Sequence, residues 1–87
     1  MSDEPLLVFP TDYPIKVIGP PTPEFRARIH AIVLRHVPLT EASHVTEHLS
    51  KNGNYLSISY AIRAESREQV TALAADLTAC EGVVLVI

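Results

Sequence analysis

Three observations predict an α+β domain of the ferredoxin-like type, a βαββαβ sandwich with a four-stranded antiparallel sheet and two helices on one face. Two stretches carry apolar residues at helical spacing. Runs rich in β-branched residues, one of them strictly alternating, flank those stretches. Right-handed crossovers fold the order strand, helix, strand, strand, helix, strand into that sandwich.

The elements follow in chain order. Residues 1–12 hold two prolines and three acids and read as an irregular acidic tail, with Leu7 and Phe9 folding back on the domain. The single domain then spans 13–87. Pro14 to Gly19 is a β-branched run and the first strand. Pro20, Pro21 and Pro23 stop it, and Thr22 before Pro23 and Glu24 has the form of a helix N-cap. The first helix runs to His36, with Phe25, Ile29, Ile32, Val33 and His36 on one face, and Pro38 ends it. Residues 43–50 alternate weakly and read as a strand. Asn52-Gly53-Asn54 is a turn signal. From Tyr55 to Ala64 the alternation is clean. Leu56, Ile58, Tyr60 and Ile62 face one way; Tyr55, Ser57, Ser59, Ala61 and Arg63 face the other. Ser66 caps the second helix with Gln69 as its capping-box partner. Val70, Leu73, Ala74, Leu77 and Cys80 form the apolar stripe, Gly82 ends the helix, and 83–87 is the last strand.

Composition limits the function. The chain has 87 residues, 47% of them hydrophobic, and a net charge of −3. Residues 13–87 carry seven acids and seven bases, so the net acidity sits in Asp3, Glu4 and Asp12. A strongly basic nucleic-acid binder is excluded on charge. The apolar runs are far below the roughly 20 residues of a membrane span, and the N-terminus lacks a signal peptide's basic region. With one cysteine no intramolecular disulfide forms, which favours a reducing cytoplasm.

No catalytic constellation is visible. Cys80 lies on an apolar stripe and reads as a buried thiol. No P-loop or dinucleotide fingerprint occurs, and neither a cofactor nor an enzymatic role is expected. His44 and His48 share one face of the proposed strand. They could begin a metal site, but lack further ligands at motif spacing, so no metal is assigned. His36, at the end of the first helix, can donate to the last helix carbonyls. Sheet aromatics that could stack RNA bases reduce to Tyr55.

Two places remain as binding sites. One is the turn from Gly19 to Thr22, where helix N-terminal amides suit an anion; a stiff turn is the structural alternative. The other is the outer side of the first helix, where Arg26 with His30, and Arg28 with Arg35, flank a solvent-facing Leu34. This reads as a partner-docking helix, or as a scattered surface leucine. The acidic tail, through Asp3, Glu4 and Asp12, could screen those arginines.

Phe9-Pro10, Ile15 to Gly19, Arg35-His36 with Pro38, Ser50 to Ser57, Gln69-Val70 and Gly82-Val83 together resemble the YbeD-like family of small bacterial proteins. One extra residue in the Ser50–Tyr55 turn departs from the family pattern. The resemblance implies a ferredoxin-like fold similar to the amino-acid-binding ACT regulatory domains, and a loose association with lipoate metabolism. It supplies no catalytic residues. By analogy with ACT domains, Gly19 to Thr22 would hold a small ligand at a subunit interface.

The reading is a small cytoplasmic regulatory or adaptor domain that binds a protein or a small anionic metabolite and self-associates through a strand edge or the open sheet face. The ligand-binding candidates are Gly19 and Thr22. The partner-binding candidates are Arg26, Arg28, His30, Leu34, Arg35 and Tyr55. A metal-dependent domain using the strand histidines is the alternative, and weak RNA binding the third.

Overall fold

A computed structural model describes residues 8–87. The first β-branched run forms β1 (Thr11–Gly19), followed by α1 (Pro23–His36) and a 3-10 turn (Ala42–His44). Then come β2 (Val45–Leu49), β3 (Leu56–Ala64), α2 (Arg67–Ala79) and β4 (Leu85–Val86). The sheet is antiparallel in the order β2-β3-β1-β4, so the α+β ferredoxin-like sandwich expected from the sequence is the fold.

Period-2 alternation decides what is buried. Ile15, Val17 and Gly19 of β1 lie opposite Tyr60, Ile58 and Leu56 of β3, and all six are buried. Phe25, Ile29 and Val33 of α1 and Leu73 and Leu77 of α2 close over them at zero exposure. Burying each large side chain contributes about 1.5–3 kcal/mol. The opposite sheet face carries Lys16, Ser57, Ser59, Ala61 and Arg63, none of them buried.

Local signals set the helix starts. Thr22 Oγ1 accepts from the Phe25 amide at 3.1 Å, with proline in the first turn. Ser66 Oγ accepts from the Gln69 amide at 3.1 Å. The Gln69 side chain does not return to the Ser66 amide as a capping box would. Its carbonyl oxygen accepts from the Glu65 amide at 2.6 Å, and its amide nitrogen donates to the His36 carbonyl at 2.9 Å. Gln69 thus ties the start of α2 to the end of α1.

Several expectations are corrected. β1 begins at Thr11, two residues inside the proposed tail. Asp12 belongs to that strand and pairs with Arg63 at 3.1 Å, so it does not screen the α1 arginines. Asp3, Glu4 and Leu7 lie outside the described residues, while Phe9 does pack against the core. His36 Nε2 meets Asp76 Oδ2 of α2 at 2.6 Å; its ring is directed to α2, where a carboxylate is a stronger acceptor than its own helix carbonyls. Leu34 is half-buried, so it does not stand free in solvent. α2 ends at Ala79, and Gly82, at φ +95°, turns the chain into β4. The hairpin register is Leu49 opposite Leu56, leaving residues 50–55 as the loop.

Candidate functional site

The helix layer leaves the edge of the sheet uncovered. Val45, Glu47 and Leu49 lie opposite Tyr60, Ile58 and Leu56, which places them on the helix-facing side. Yet Val45 is only half-buried, Glu47 is exposed and Leu49 is 52% exposed. Between α1 and β2 runs a groove of about 570 Å³, lined by Pro23, Arg26, Ala27, His30, Ala42, Val45, Glu47 and Tyr60. A second depression of about 510 Å³ continues it past Pro21, Leu49, Gly53 and Leu56. Arg26 and Glu47 line both, standing as a bar between them.

Each side chain has a local reason to be there. Arg26 and His30 are four apart on α1 and therefore share a wall. Tyr60, on the buried face of β3, lines the groove, and its ring stacks with His30 at 6.3 Å between centroids. Burial, and then the nearby Glu47 carboxylate, push the Tyr60 phenol up to about 12. The phenol is therefore a neutral hydrogen-bonding group at neutral pH. Arg26 Nε donates to Glu47 Oε2 at 2.8 Å. Among the described residues neither terminal nitrogen of Arg26 makes a hydrogen bond. A guanidinium has five donors in a planar fork, so Arg26 keeps capacity for an anion.

The candidate residues are only partly brought together. Arg26 and His30 meet in the groove. Arg28 is exposed outside it, and Arg35 pairs instead with Asp76 at 3.2 Å. Hydrogen bonds from His36 and then Arg35 hold the Asp76 carboxyl below the usual carboxylate range. Gly19 is buried against Phe25; an added Cβ would fall among the ring carbons, so the glycine serves close packing. Thr22 spends its hydroxyl on the helix cap. Tyr55, half-exposed, sits in the hairpin loop just before β3, its amide bonded to Ser50 Oγ at 3.0 Å.

The two histidines do not share one strand. His44 belongs to the 3-10 turn, while His48 is on β2 and lies opposite Ser57 on the open face. No group of three or more metal-ligating side chains occurs among the described residues. A smaller cavity of about 150 Å³ between Val37–Thr40, His44 and the end of β3 includes Arg63 and Gln69, both already engaged elsewhere.

Sequence reasoning missed Glu47 as Arg26's partner and Tyr60 as a groove residue. The alternation of β3 did put Tyr60 inward, and the same alternation carried into β2 would have put Glu47 inward too. No described helix is long and apolar enough to cross a membrane.

Comparison with known proteins places the fold and the family. The chain is similar to the ACT domain of a GTP pyrophosphokinase from Chlorobium tepidum (TM-score 0.62, 18% identity, 88% of this chain and 97% of that one). It is also similar to the C-terminal domain of the MgtC protein from Mycobacterium tuberculosis (TM-score 0.64, 13% identity, 94% and 89%). At these identities the likeness shows the fold. Closer in sequence is a UPF0250 protein of Hahella chejuensis, 40% identical over 86 residues, covering 99% of this chain and 94% of that protein. UPF0250 proteins of Bordetella parapertussis (39%, covering 82% and 78%) and Neisseria gonorrhoeae (35%, covering 94% and 90%) also match. The family model described as protein of unknown function DUF493 matches residues 4–87. With that match across nearly its whole length, the chain belongs to the UPF0250 (DUF493) family of small bacterial proteins, the YbeD-like family its sequence resembles.

Proposed function

We propose that this chain is a small regulatory domain that acts by binding a small anionic ligand in the groove between α1 and β2. The observation that carries the reading is the juxtaposition in that groove of Arg26, with unused donors, His30, and the neutral phenol of Tyr60 beside apolar walls. Concave sites of this kind combine an apolar lining with a few convergent polar groups. The likeness to an ACT domain of a GTP pyrophosphokinase supports a regulatory role by analogy of fold. The reading includes no catalytic step, and it places the domain in the cytoplasm, where its single cysteine needs no partner.

The test is an NMR titration of the labelled protein with phenyl phosphate, benzoate and benzyl alcohol. Anions are expected to shift amides of residues 24–30 and 42–47, and Arg26→Gln to remove the shifts. The neutral alcohol should leave them in place. Shifts that are absent for both anions, or that survive Arg26→Gln unchanged, overturn the reading.

Self-association is a second reading, favoured by the exposed apolar side chains Val84, Leu85 and Ile87 along the β4 edge. Light scattering across a concentration series is expected to show a dimer, weakened by Leu85→Lys; a monomer throughout removes it.

A further inference from the structure

We infer that the Tyr60 hydroxyl is a specificity-determining contact of the groove, selecting organic monoanions that carry a second, neutral oxygen (a hydroxyl or a carbonyl) over anions of the same shape that carry a methyl group there. The inference rests on the groove being an anion site, and adds the second group its ligands bear.

Tyr60 stands apart from the rest of the core. It is 1% exposed, and among the buried hydrophobic residues described it alone carries a polar side-chain atom. Phenylalanine would fill the same space without that atom. A buried tyrosine hydroxyl ordinarily finds a hydrogen-bond partner. This one makes no hydrogen bond among the described residues. The side-chain oxygen there that is both unpartnered and sealed from solvent is Thr40 Oγ1, in the turn after α1. The Tyr60 hydroxyl, also unpartnered, is therefore not sealed, and the cavity that Tyr60 lines is the α1–β2 groove.

The neighbours hold it in place. The register sets Tyr60 between Ile15 of β1 and Val45 of β2, and the His30 ring stacks on it from α1. Burial keeps the phenol protonated at neutral pH, so it can donate as well as accept. Arg26 and His30 line the same groove. An anion held by Arg26 lays its body over Tyr60 and removes the hydroxyl's remaining access to water. Where that body offers a methyl group, the hydroxyl is left buried without a partner, which is costly. Where it offers a neutral oxygen, the hydroxyl is satisfied. A second negative charge suits the place less well, because the Glu47 carboxylate lines the same groove.

The test titrates wild type and Tyr60→Phe, by NMR, with 3- and 4-hydroxybenzoate and with 3- and 4-methylbenzoate. Each pair exchanges a hydroxyl for a methyl group of similar size, at two distances from the carboxylate. Wild type is expected to bind at least one hydroxybenzoate about ten-fold more tightly than its methyl counterpart, and Tyr60→Phe to reduce that preference below about two-fold through weaker hydroxybenzoate binding. Methylbenzoate affinity should hold or improve in Tyr60→Phe, an outcome that mere loosening of the groove would not give. A preference of the same size in Tyr60→Phe, or no preference in wild type for either isomer, overturns the role of Tyr60 while leaving the groove an anion site. Absence of groove shifts with all four anions overturns the site and this inference with it. The amide spectrum reports folding of the variant, and the wild-type comparison decides the question alone if the variant does not fold.

Discussion

His36 and Asp76 join the two helices side by side: Nε2 of the imidazole lies 2.6 Å from Oδ2 of the carboxylate, which also receives Arg35 at 3.2 Å. The two helices have no covalent link nearer than the strands between them, so this contact and the Gln69 bridge fix how the helix layer is assembled.

The acid limb of the stability profile tests that contact. The Asp76 carboxyl is held below its ordinary range by His36 and then Arg35. Its contribution is therefore present above the unfolded aspartate value of about 3.9 and is lost as pH falls through the lower folded value. Urea unfolding from neutral pH into that acid range should show a loss of stability that is shallower in Asp76→Asn. Parallel curves for the two proteins would remove Asp76 as a source.

Gln69 carries a second tie. Replacing it with Leu leaves the Glu65 amide and the His36 carbonyl without their side-chain partners and is expected to cost about 1–3 kcal/mol. Gln69→Glu keeps the acceptor for Glu65 and loses the donor to His36, so it should fall between the two. Denaturant midpoints measure the order of the three.

The Tyr60 phenol is expected to ionise late in an alkaline absorbance titration, at about 12, and Tyr60→Phe removes that step. The folded value lies above the unfolded value of about 10, so the stabilisation is whole below 10 and lost as pH rises through 12. Glu47→Gln should bring the step to lower pH, because the Glu47 carboxylate is one of its causes.

Gly19→Ala places a methyl group inside the Phe25 ring position and is expected to destabilise by about 1–3 kcal/mol. The double variant Gly19→Ala with Phe25→Leu should lose less than the sum of the two single changes, because the smaller side chain removes the clash. Full additivity in chemical denaturation would show that the two sites do not meet.

The parts legible in the sequence were those set by neighbours in the chain. Thr22-Pro23-Glu24 writes a helix start, and Leu56, Ile58, Tyr60 and Ile62 write a buried strand face, because caps and alternation act over a few residues. β2 was faint for a physical reason. Its inward side is uncovered, so Val45, Glu47 and Leu49 do not all need to be apolar. His44 fell into the 3-10 turn because nothing local separates a turn entering a half-exposed strand from the strand itself. The pairs Arg26 with Glu47, His36 with Asp76 and Arg63 with Asp12 join residues 21, 40 and 51 positions apart. Only sheet register and helix packing bring such residues together, and neither is a local property. The basic outer side expected for α1 is accordingly reduced, since two of its three arginines find acids on neighbouring elements.

β2 hangs from the sheet by one ladder, its pairing with β3, and both of its faces meet water. Elements of that kind open locally at much lower free energy than a core strand, and their amides exchange early with solvent. The groove thus has one wall anchored by Phe25, Ile29 and Val33 and one wall held by a single ladder. A ligand bridging the two walls would slow exchange in residues 45–49 more than anywhere else, turning occupancy of the groove into order along the sheet's free margin.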